Sequence, residues 1–165
     1  MVQFDPNLSQ SESTVSTLYE TDFYAWTQGQ AELLRNHHWS KLDLPNLIEE
    51  IESLGKQQRA ELRNRLSILM GHLLKWEYQP TKRSRSWLNT IRVQRMDTLE
   101  LLEENPSLQP YLLEGLQKAY RKAVALAAGE TDLPDRTFPD DCPYTLEQIL
   151  EDKFYPGEPS NWVME

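Results

Sequence analysis

Between Trp76 and Trp87 the chain reads Trp-Glu-Tyr-Gln-Pro-Thr-Lys-Arg-Ser-Arg-Ser-Trp, a run of cations set among aromatic rings. Lys82, Arg83 and Arg85 carry the charge, and Arg92 follows two helical turns later. Trp76, Tyr78 and Trp87 supply stacking faces. Guanidinium and ammonium groups beside aromatic planes suit an anionic protein surface or a single-stranded nucleic acid. If a helix opens after this joint, its free N–H groups add attraction for an anion. A plainer reading is packing alone: Trp76 and Trp87 meet as the hydrophobic stop of a helical hairpin, and the cations lie exposed in its turn. The candidate binding set is Lys82, Arg83, Arg85, Trp87 and Arg92.

A second group is polar where the pattern is apolar. At ~100° per residue, Arg95 falls amid Leu88, Ile91, Leu99 and Leu102, on a face that should be buried. A buried guanidinium requires compensation, so an acidic partner is expected, with Glu50, Glu52 and Asp22 as candidates. His72 flanks the apolar seam of the preceding helical pattern. Glu50, His72 and Arg95 could thus line a polar pocket for a small ligand or a reaction, or Arg95 could belong to an ion pair that sets helix register.

Other chemistry finds little footing. A bundle di-metal site requires Glu-x-x-His pairs on facing helices. The three histidines are His37 and His38, adjacent, and His72, with no carboxylate three or four residues away from it. Cys142 stands between Asp141 and Pro143 without a neighbouring base, which suits a packed or exposed thiol. No glycine-rich phosphate loop occurs. No metal, cofactor or catalytic constellation is expected.

These residues need helices to hold them. Leu, Glu, Gln, Lys, Arg and Ala dominate and strict alternation is almost absent, so the chain reads as all-α. Residues 1–17 read as a disordered tail rich in Ser, Thr, Gln and Asn. The first helix begins at Thr21 or Asp22 and runs to about Asn36, gathering Tyr19, Phe23, Trp26, Leu33 and Leu34 on one side. The second opens with Asp43 as N-cap and Pro45 in its first turn, and Pro80 ends it. Unbroken, it would be ~50 Å long, with a kink or break plausible around Gly55. Residues 66–76, apolar on several sides, make its latter half the central helix.

The third helix spans 85–104 with Trp87, Leu88, Ile91, Leu99 and Leu102 inward. Asn105-Pro106-Ser107 then turns the chain, Ser107 caps a fourth helix, and Gly129 closes it. Short connectors force antiparallel neighbours, hence an up-down bundle of about four main helices. Residues 130–144 form a proline-rich strap anchored by Leu133, Phe138 and Tyr144. Thr145 to Gln148 is a capping-box pattern for a short last helix. The expected division is tail 1–17, one helical domain 18–156, and a C-terminal tail 157–165.

Charge narrows the partners. The 165 residues carry a net −9, yet residues 75–95 hold 6 basic and 1 acidic side chains. Residues 96–165 hold 5 basic and 15 acidic. Phosphate contacts need surplus cations, so the whole chain is poorly suited to nucleic acid, while the joint keeps an anionic partner in play. No run of ~18 apolar residues offers a membrane span. A single cysteine and the absence of a signal-peptide pattern fit a cytoplasmic protein.

The order of the motifs adds a resemblance. Thr17-Leu18-Tyr19-Glu20-Thr21-Asp22-Phe23-Tyr24-Ala25-Trp26 leads to Leu42-Asp43-Leu44-Pro45 and on to Glu49-Glu50-Ile51-Glu52-Ser53-Leu54-Gly55. Then come His72-Leu73-Leu74-Lys75-Trp76, Ser86-Trp87, Ile91, Arg95, Pro106-Ser107-Leu108 and Cys142-Pro143-Tyr144-Thr145-Leu146. Together they resemble the family numbered twenty-nine among domains of unknown function, abundant in cyanobacteria, over about residues 17–156. The resemblance implies a compact helical bundle in a bacterial cytoplasm and no assigned activity. The expected function is a non-enzymatic interaction module that binds a protein or other anionic partner through residues 75–95. The alternative is a ligand-binding protein or enzyme around Glu50, His72 and Arg95.

Overall fold

The computed structural model describes residues 18–163. The expected tail at 1–17 lies outside them. Among the described residues there are helices and turns and no strand, so the fold is all-α. Five α-helices are labelled here: α1 (Phe23–Arg35), α2 (Leu44–Tyr78), α3 (Arg85–Glu104), α4 (Leu112–Thr131) and α5 (Leu146–Leu150). Short 3-10 turns precede α2, α3 and α4 and interrupt the strap at Asp135–Thr137. The chain falls into two compact units, Met1–Lys56 and Gln57–Glu165. The helical hydrogen bonding of α2 continues through Gly55, where the sequence had left room for a break.

In the first unit, α1 is capped as expected: the Asp22 carboxylate accepts from the Ala25 N–H at 3.0 Å. Its other end closes in a way the sequence did not announce. His37 takes φ +58°, its N–H bonds the Leu34 carbonyl, and the His38 N–H bonds the Leu33 carbonyl. That is a Schellman closure with histidine where glycine is usual. The histidine pair therefore terminates a helix. Replacing His37 by glycine removes the left-handed penalty on a side chain, so H37G is expected to raise stability by about 1 kcal/mol in thermal or urea unfolding. The α1 face toward the start of α2 is aromatic: Trp26 lies 4.9 Å from Tyr19 and 5.6 Å from Phe23. Trp26 Nε1 donates to Asp43, and Gln30 accepts the Asp43 N–H.

The second unit holds the core. Leu62, Leu66, Leu69, Met70, Leu73, Leu74 and Trp76 of α2 are sealed from solvent, as the apolar density of 66–76 predicts. Around them pack Leu88 and Ile91 of α3 and Leu112, Leu116, Ala119 and Ala123 of α4. Arg65 of α2 pairs with Asp97 of α3, whereas Lys75 pairs with Glu130 of α4. The up-down order thus makes α2 antiparallel to α3 and parallel to α4. Gly71 permits the second contact: a Cβ there would stand 2.7 Å from a Leu126 methyl and 3.2 Å from the Ala123 carbonyl oxygen.

Three local expectations need correction. Leu99 is exposed and Leu101 buried instead. The buried arc of α3 is rotated toward the connector Pro106–Tyr111 that packs on it, a neighbour that periodicity alone cannot see. Ser107 is not a cap, because Pro106–Tyr111 is a 3-10 turn and α4 starts at Leu112. Gly129 does not end α4, which runs to Thr131 and stops where Asp132 adopts φ +58°. The strap and last helix follow expectation: Phe138 and Tyr144 are buried, and the Thr145–Gln148 capping box is complete.

Candidate cationic cleft and the buried arginines

The joint turns through Pro80–Lys82 into α3, whose N-cap Ser84 accepts the Trp87 N–H. The fold divides its cations into two kinds. Arg83 is buried: its Nε donates to the Trp76 carbonyl at 2.8 Å and its Nη1 to the Glu158 carbonyl at 2.7 Å. Its guanidinium lies 5.0 Å from the Trp76 ring centre, and burial lowers its pKa. Arg83 thus ties the C-terminal segment to the end of α2, and the reading that left it exposed in the turn is corrected. Residues 157–163, expected as a tail, supply that anchor, and Val163 packs against the core.

Trp76 and Trp87 do not form the expected pair among the ring contacts. Trp76 lies 5.4 Å from Tyr155, and Trp87 has Lys75 Nζ 4.3 Å above its ring. Lys75, counted in the sequence only as one cation of the joint, is buried and ion-paired with the half-exposed Glu130.

Lys82, Arg85 and Arg92 are exposed, and none has a carboxylate partner among the described residues. Arg85 and Arg92, seven residues apart on α3, line one cleft of about 270 Å³ with Leu88, Asn161 and Trp162. Arg85 approaches the Trp162 ring to 5.9 Å. Trp162 is the functional candidate that sequence reasoning missed. A lone tryptophan amid Pro, Ser and Asn was its only signal.

Each residue of the second candidate group has partners of its own. The Glu50 carboxylate accepts the Tyr19 hydroxyl at 2.5 Å, and that bond, before burial, pushes the Tyr19 pKa up to about 12. Arg95 is completely buried, as its position among leucines implies, but its partners are not carboxylates. Its Nε, Nη1 and Nη2 donate to the carbonyls of Ile149, Asp152 and Phe154 at 2.8, 3.2 and 2.6 Å. The guanidinium caps the end of α5 and fastens the turn beyond it, 5.1 Å from the Tyr155 ring centre. Burial lowers its pKa; Tyr155 and Asp152 oppose that shift. The expected acidic partner is replaced by main chain, because the end of α5 and the turn beyond it pass where a carboxylate would otherwise be required.

His72 Nδ1 lies 3.0 Å from the Ile68 carbonyl. Burial first, then the Lys75 charge, hold its pKa below the usual 6.5. The unfolded chain therefore takes up a proton as pH falls through about 6.5, before the folded one does. Stability is expected to be full above that pH and to decline below it until the folded pKa is passed. In H72N this component of the urea-unfolding pH profile should vanish.

Cys142 is half-buried, its sulfur 3.6 Å from that of Met70, and burial raises its pKa, which suits packing over reactivity. Among the described residues no His, Cys, Asp and Glu cluster is placed to hold a metal, and no helix is long and apolar enough to cross a membrane.

A family model described as "Domain of unknown function DUF29" matches residues 18–155. No curated protein and no solved structure matches the chain. The matched span includes Arg83, Arg95 and the carbonyls of 149–154, whereas Asn161 and Trp162 lie beyond it.

Proposed function

The chain belongs to the DUF29 family, a family of unknown function, and from that premise we propose that it is a non-enzymatic interaction module receiving an acidic partner protein at the Arg85–Arg92 cleft. The carrying observation is that both arginines border one cleft without a carboxylate partner among the described residues, in a chain of net charge −9. Carboxylates are abundant in this protein, so cations left open on one surface are available to another molecule. Arg85 also stands at the first position of α3, whose first turn contains no acidic residue. A cation at the positive end of a helix opposes the dipole, a local cost that suits a binding surface. Guanidinium forks pair with carboxylates bidentately, and Leu88 and Trp162 add an apolar wall. The single cysteine suits a cytoplasmic setting for such a module.

Arg83 leaves the expected binding set because its donors are occupied, and Lys82, though exposed, does not line the cleft. The pocket alternative around Glu50, His72 and Arg95 draws no support from residues so individually partnered.

The test is titration with a polyglutamate peptide at low and high salt. Binding should weaken with salt, and R85A/R92A should weaken it about tenfold or more. Equal affinity of the double variant would reject the cleft. Binding of a single-stranded oligonucleotide in preference to the peptide would replace the acidic protein by nucleic acid.

A further inference from the structure

Residues 18–56 contain only two buried side chains, Trp26 and Gln30, although they are rich in large apolar residues. Of the 14 large hydrophobics exposed among the described residues, nine lie here. Four of them, Leu44, Ile48, Ile51 and Leu54, are 53, 56, 66 and 61% exposed on one helix. At 100° per residue they fall within an arc of about 120°, the stripe by which a helix seats against another. The arc that α1 covers is the neighbouring one, through Trp26 on Asp43 and Tyr19 on Glu50. A row of open isoleucines and leucines of this length marks an interaction surface more than chance exposure.

Charge identifies what fits it. Residues 18–56 carry seven carboxylates (Glu20, Asp22, Glu32, Asp43, Glu49, Glu50, Glu52) against three cations. Two of those cations, Arg35 and Lys56, already face Glu32 and Glu52. On the helix wheel Glu52 stands at one edge of the stripe and Asp43 and Glu50 at the other. A second copy would set acidic rim against acidic rim. Residues 1–17 bring Asp5 and Glu12 and no lysine or arginine, so they offer no complement either.

We infer that the exposed stripe Leu44–Ile48–Ile51–Leu54 is a docking face for an amphipathic helix of a partner protein whose apolar ridge is flanked by lysine or arginine. Helix-in-groove recognition supplies the apolar contact, and the rims select the sign of the partner's charge. This surface is independent of the cationic cleft and takes the opposite chemistry.

The probe is a synthetic 18-residue helix with leucines at i, i+3, i+4 and i+7 spacing and lysines beside them, titrated into the full chain by calorimetry. Its control has glutamates in place of the lysines. The lysine helix should bind, the glutamate helix should not, and I48S/I51S should weaken binding about tenfold or more at unchanged net charge. Both substituted side chains are exposed, so unchanged helicity by circular dichroism is the folding control. Unaltered affinity of I48S/I51S would overturn the inference, because it would show attraction by overall negative charge alone. Equal binding of both helices, or binding of neither, would also overturn it. A concentration-dependent dimer abolished by I48S/I51S would assign the face to a second copy instead. R85A/R92A should leave this binding intact, which separates its failure from that of the cleft.

Discussion

Replacing Arg95 by leucine should destabilise the protein by about 3–5 kcal/mol, the largest effect expected of any single charge here. Three carbonyls lose their donor at once: that of Ile149, which is buried, and those of Asp152 and Phe154, which are partly buried. Each unsatisfied carbonyl costs roughly 1–3 kcal/mol where water is excluded. Leucine regains part of this by apolar burial and by abolishing the desolvation of the guanidinium. Lysine should rescue little, since one ammonium cannot span three acceptors held in a fork. Urea unfolding measures the loss. Limited proteolysis adds a discriminating readout: in R95L, cleavage should rise within residues 149–163 before it rises in α2 or α4. Equal protection of that segment in both proteins would contradict the anchoring role.

Trp76→Ala should cost about 3–5 kcal/mol, the range for deleting a large buried ring. Trp76 has no exposed surface, and its ring contacts both Tyr155 and the Arg83 guanidinium. The Arg83 hydrogen bond goes to the Trp76 main-chain carbonyl, so it survives in name while losing the ring above it. Trp76→Phe should be milder, about 1–2 kcal/mol, because the indole N–H has no acceptor among the described residues and only volume is lost. Thermal unfolding of the pair separates the two cases. Similar losses for both variants would mean that the indole nitrogen matters in a way the geometry does not show.

Both predictions concern the C-terminal segment, and this is where sequence and structure part. Arg95 was visible as an anomaly because helical periodicity places it among leucines. Its partners were not visible. They are main-chain carbonyls 54 to 59 residues away, and every residue type has a carbonyl. A carboxylate is one acceptor for a buried guanidinium, and a main-chain carbonyl is another that no residue type announces. Arg83 follows the same rule: adjacency groups it with Lys82 and Arg85, yet its donors turn inward to the Trp76 and Glu158 carbonyls. Of the cationic joint, Lys82, Arg85 and Arg92 are exposed as composition suggests, and Trp162, from a segment read as a tail, shares a cleft with Arg85 and Arg92.

The sequence by itself determined the all-α class, a cap at Thr21 or Asp22, the capping box at Thr145, and the central apolar stretch of α2. Each depends on residues within a few positions of one another, linked by hydrogen bonds from i to i+4 and by the repeat of 3.6. Only the tertiary structure decided which arginines are buried, which arc of α3 faces inward, and where Lys75 finds its acid. Those outcomes depend on the path of residues 149–158 and of the connector at 106–111, which have no period to read, on main-chain acceptors that any residue type carries, and on how α2 packs against α4.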